Sequence, residues 1–112
     1  MPITDKQVEW ALGILVDKDG IAAAARAAHD HISDMDKVVL AKLMMDAPDE
    51  HKSAAAREMW ARSHDTYVHH LEQKKAIAEM DYRAREKRTA ASAVIEAWRT
   101  EQSNARLSGK IG

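Results

Sequence analysis

Apolar side chains recur along this chain at steps of three and four rather than two, which predicts helices and no strands. Thr4 followed three residues later by Gln7 has the form of a capping box, and Val8, Ala11, Leu12 and Leu15 then share a face, so a first helix is predicted over residues 5–16. Asp17-Lys18-Asp19-Gly20 reads as a turn with Gly20 at positive φ. Gly13, inside the first helix, is expected to let another backbone come close. From Ile21 to Asp46 neither Gly nor Pro intervenes, and Ile21, Ala25, Ala28, Ile32, Met35, Val39 and Leu43 keep the helical step. That predicts a second helix of about 39 Å, small-sided in its first half and bulkier toward Met44 and Met45.

Pro48 ends this helix, because it disfavours helical geometry at Ala47, and it suits the first turn of a third helix over residues 48–62. Ala55, Met59 and Trp60 are expected to turn inward there. Ser63-His64-Asp65 supplies a break and a new cap, after which residues 66–107 hold neither Gly nor Pro until Ser108-Gly109 stops the run. One stripe on this long helix runs through Tyr67 or Val68, Leu71, Ala78 and Tyr82. A second runs through Ile77, Met80, Ala84, Ala91, Val94 and Trp98, interrupted by Lys87. The predicted fold is all-α, a single helical domain over residues 1–112, with three shorter helical segments and a long C-terminal helix in a bundle or coiled-coil oligomer.

Composition makes the core question sharper. Among 112 residues there are 6 Leu, 7 Ile, 6 Val and no Phe, about 17% of the chain, against 21 Ala. A straight helix of the predicted length would be about 63 Å long, whereas a compact domain of this size has a radius of gyration of only about 13 Å. A homo-oligomer sharing its core is the expected solution, with the second stripe (Ile77, Met80, Ala84, Ala91, Val94, Trp98) as its interface. The chain has no Cys, which excludes disulfides, thiolate nucleophiles and Cys-ligated zinc. With no signal-like N-terminus and no apolar run long enough to span a bilayer, the expected setting is the cytoplasm, away from membranes.

Charge is unevenly spread. The net charge is -1, yet residues 1–82 carry ten basic and fifteen acidic side chains and residues 83–112 seven basic and three acidic. Arg83, Arg85, Lys87 and Arg88 lie close together, and Arg99, Arg106 and Lys110 continue the excess. Such a helix can neutralise DNA phosphates without reading bases. The competing reading pairs it with the acidic first half, through Asp30, Asp34 and Asp36.

Other chemistry is sparse. Of the six His, no pair has the three- or four-residue spacing that puts two metal ligands on one helix face; His69 with Glu72 has it, but without a companion motif. Asp17-Lys18-Asp19-Gly20 lacks the spacing and closing Glu of a calcium loop. Asp34, Asp36, Asp49 and Glu50 read as solvated carboxylates, and Ser53 as a residue of a helix's first turns rather than a nucleophile. No catalytic residue, metal site or cofactor is expected. Trp98 on the long helix suits an anchor for a protein partner.

Ser53-Ala54-Ala55-Ala56-Arg57-Glu58, Tyr67, Ile95-Glu96-Ala97-Trp98-Arg99-Thr100 and Asn104-Ala105-Arg106 resemble small helical proteins of tailed bacteriophages and prophages. Proteins of that kind often sit among early genes for homologous recombination and single-strand binding. The resemblance implies a non-enzymatic accessory that acts by binding, in phage DNA recombination or replication inside a bacterial host cell. The alternative is a protein-interaction module that modulates a host enzyme or assists assembly, with a host or phage protein as partner.

Overall fold

The computed structural model describes residues 2–111 and is all-α: α1 (Asp5–Val16), α2 (Ile21–Asp46), α3 (Ala54–Ser63) and α4 (Asp65–Ile111). The predicted capping box is present at α1. Thr4 Oγ1 accepts from the Gln7 N–H and Gln7 Oε1 accepts from the Thr4 N–H. Asp17 does double duty at the corner that follows. Its backbone is left-handed, with φ 49°, and its N–H closes α1 on the Gly13 carbonyl. Its carboxylate accepts the N–H groups of Ala22 and Ala23, two of the donors that the first turn of α2 leaves without helical partners. Gly20 has φ 67° in the same turn.

Three expectations are corrected. A Cβ on Gly13 would meet nothing within 4 Å, so no backbone presses on it. The third helix starts at Ala54 instead of Pro48, because the Ser53 hydroxyl accepts the Ala56 N–H and caps it there. Its inward face also differs from the expected one: Ala61 is buried, Arg57 and Trp60 are half-buried, and Met59 and Ala55 face solvent. The long helix also runs on through Ser108 and Gly109; Gly permits a left-handed stop but does not impose one.

The described residues form two compact units. One comprises the chain up to Ala23 together with the part from Tyr82 onward, and the other comprises Ala24–Asp81. In the first, Ala11 and Ala91 are completely buried, and the Ile3 N–H donates to both carboxylate oxygens of Glu101 at 3.0 Å. In the second, Leu43, Ala61 and Tyr67 form a core with Val39, Leu40, Met44 and Trp60 packed against it.

Two polar pairs tie α2 to α4 within the second unit. His29 Nδ1 donates to Asp81 Oδ2 at 2.7 Å, and His70 Nε2 donates to Asp36 Oδ1 at 2.6 Å. Numbering rises along α2 as it falls along α4, so the two helices run antiparallel here.

Arg57 joins α3 to the end of α2. Its guanidinium donates to the carbonyls of Met44 (2.8 Å), Met45 (3.2 Å), Ala47 (3.3 Å) and His51 (3.1 Å). Met44 and Met45 lie in the last turn of α2, whose carbonyls carry the negative end of the helix dipole; Met44 also accepts the Ala47 N–H at 3.3 Å.

Candidate nucleic-acid interface

All six sequence-predicted phosphate contacts, Arg83, Arg85, Lys87, Arg88, Arg99 and Arg106, are exposed on α4. At about 100° per residue, Arg85, Arg88, Arg99 and Arg106 fall in one sector of about 60°, and Arg83 and Lys87 in another. The inward-facing Ala91 and half-buried Trp98 lie between them. The first group spans about 32 Å of helix axis. Arg85 holds its guanidinium 5.8 Å from the centre of the Tyr82 ring. The Lys110 side chain lies outside the described residues.

Of the acidic residues weighed as its partners, Asp36 and Asp30 have other neighbours, while Asp34 is exposed. Asp36 takes His70 and Lys74, Asp30 faces Arg26 at 3.9 Å, and Glu101 receives the Ile3 N–H. Among the described residues, none of Arg83, Lys87, Arg88, Arg99 and Arg106 is joined to a carboxylate.

The stripe named as an oligomer interface is mostly covered by the chain itself. Ala91 is fully buried and Ile77, Ala84, Val94 and Trp98 are half-buried, while Met80 stands 60% exposed.

The buried polar residues are ones that sequence reasoning missed. Asp81 is 1% exposed and His70 is 7%, and Asp36, read as a surface carboxylate, is half-buried between His70 and Lys74. Burial raises the Asp36 carboxyl, but the hydrogen bonds and charges of Lys74 and His70 outweigh it and hold the group below its ordinary 3.8. A group held ionised in this way is a poor proton donor. Because its folded value lies below its unfolded one, the stability it adds is fully present above 3.8 and is lost as pH falls through the lower folded value. Denaturant titrations from pH 5 toward pH 2 are therefore expected to show a shallower acid loss in Asp36→Asn than in the parent; identical acid limbs would refute this.

His64 is also accounted for structurally. Its Nδ1 accepts the Thr66 N–H at 3.1 Å, at the start of α4. Beside it, His51, Ala56, Met59, Trp60, Ser63 and Asp65 complete the lining of an open depression of about 580 Å³. No group of three or more His, Asp or Glu among the described residues is arranged to hold a metal ion. No helix among them is long and apolar enough to cross a membrane. In comparisons with protein-family models, curated proteins and solved structures, the chain matches none.

Proposed function

We propose that the chain is a non-enzymatic, phage-type accessory protein that works as a homo-oligomer and binds DNA, serving recombination or replication in the cytoplasm of a bacterial host. Arg83, Arg85, Lys87, Arg88, Arg99 and Arg106 contact phosphates and leave the bases unread. One observation carries this reading: six exposed cations along α4, in two sectors of the helix, five of them without a carboxylate partner among the described residues. Surface cations already paired within the chain would have little to offer phosphate. The phage setting rests on the resemblance of residues 53–58, Tyr67, 95–100 and 104–106, and non-enzymatic action on the scarcity of chemistry noted above.

Fluorescence anisotropy with a labelled duplex at rising salt tests it. Log affinity is expected to fall linearly with log salt, by about 0.9 per phosphate neutralised. Replacing Arg88, Arg99 and Arg106 together by Ala should make that slope shallower and leave sequence preference unchanged. Absence of binding at low salt would overturn the reading in favour of a protein partner.

A further inference from the structure

The outward face of α2 carries a pattern that its inward face does not explain. Ala24, Ala27, His31, Asp34, Val38, Ala41 and Met45 recur at alternating steps of three and four, the spacing of a and d positions in a coiled coil. All seven are exposed, Val38 by 40% and Met45 by 79%, and they lie on the side of the helix away from the buried Ala25, Ile32 and Leu43. All belong to the same compact unit.

We infer that this face is a self-association seam, on which α2 of a second copy lies antiparallel. The inference rests on the homo-oligomer in the reading above and owes nothing to nucleic acid. Complementarity, an imidazole donor against a carboxylate acceptor in the seam and Asp30 against Lys37 on its flank, selects both the occupant and its direction. When two copies are related by a two-fold axis midway between residues 31 and 34, His31 of each meets Asp34 of the other. The same axis sets Val38 against Ala27, a large side chain over a small one, and Ala41 against Ala24, where two small residues let the helices approach.

The shoulder of the seam agrees. Asp30 and Lys37 lie seven residues apart on one flank, and the axis brings Asp30 of one copy within about 3 Å, along the helix axis, of Lys37 of the other. Parallel pairing would instead put Asp34 on Asp34 and His31 on His31. An isologous contact of this kind makes each layer twice and closes as a dimer.

The test is solution mass by sedimentation, without DNA. The parent chain is expected to run as a dimer, at twice 12.5 kDa. H31E sets Glu against Asp34 and D34K sets Lys against His31, so each alone should weaken the dimer by about tenfold or more, with helix content unchanged. An equimolar mixture of the two should restore it, through one Glu–Lys and one His–Asp layer.

Direction is read by cysteine crosslinking, for which the chain offers a clean background because it has no Cys of its own. Ala27→Cys mixed with Val38→Cys should give a covalent dimer under oxidation. Val38→Cys alone should not, since its two copies would stand about 16 Å apart along the axis, beyond disulfide reach. A dimer indifferent to H31E and D34K overturns the seam and leaves self-association standing. Crosslinking of Val38→Cys with itself overturns the antiparallel direction, and a monomer at every concentration overturns both the seam and the oligomer.

Discussion

Replacing Arg57 by alanine is expected to lower stability by about 3 kcal/mol, seen as a fall in melting temperature on the order of 10 °C. The size follows from how many acceptors one side chain serves. Four carbonyls, at Met44, Met45, Ala47 and His51, take N–H donors from this guanidinium. Hydrogen bonds to a charged group each contribute about 1.5–3 kcal/mol, but they do not add, and water reaches some of these oxygens once the arginine is gone. Arg57→Lys is expected to recover only a minority of the loss, because an ammonium is a point donor and cannot bridge carbonyls as a planar fork does. If Arg57→Ala melts with the parent, water serves those oxygens as well as the guanidinium, and the account of how α3 is held to α2 fails.

The second large effect is expected at Asp81. At 1% exposure its carboxylate accepts from His29 at 2.7 Å, and leaving a buried hydrogen-bonding group without its partner costs about 1–3 kcal/mol, more where a charged group is involved. Asp81→Ala is placed in that range by chemical denaturation. A double-mutant cycle with His29→Ala isolates the pair itself, with an expected coupling of about 1–3 kcal/mol. A coupling of zero would mean that the carboxylate is held by its other neighbours and that His29 adds nothing. Asp36, with its side chain 26% exposed and near Lys74 as well as His70, is expected to tolerate truncation better.

What the sequence made legible was local. Thr4 and Gln7 announce their capping box within four residues, Asp17 to Gly20 announce a turn, and the uninterrupted run after Asp65 announces a long helix. Pro48 correctly marks the end of α2. It does not mark the start of α3, because Ser53 offers a hydroxyl to Ala56 and Pro48 has no cap to offer. Which face of α3 turns inward was also misread, Ala61 rather than Met59, because the stretch is rich in small side chains and gives periodicity little to register.

Arg57 escaped notice for a different reason. Periodicity registers apolar side chains, whereas this residue is inward-facing through the reach of its guanidinium. Asp36 was read as surface because a polar side chain is costly to bury alone, and nothing in the sequence singled out His70 or Asp81 as buried. Each one's partner lies 34 to 52 residues away, where no local pattern can show it. The six basic residues of α4 were legible as a charge excess. That Asp36, weighed as a partner for them, is taken by His70 and Lys74 could be learned only from the fold.

The clasps described above differ greatly in how much chain they enclose, and this orders their formation. The Asp17 corner bridges five or six residues, Arg57 bridges thirteen to reach Met44, His29 and Asp81 are separated by 52, and Ile3 and Glu101 by 98. Closing a loop costs about 0.6 kcal/mol more for each doubling of its length. The two short closures therefore nucleate early, on the microsecond scale of local events, and the distant ones must wait for much of the polypeptide to be in place. During synthesis on a ribosome the Asp17 corner can form as soon as it emerges, while Ile3 goes without its acceptor until Glu101 has been added and has emerged.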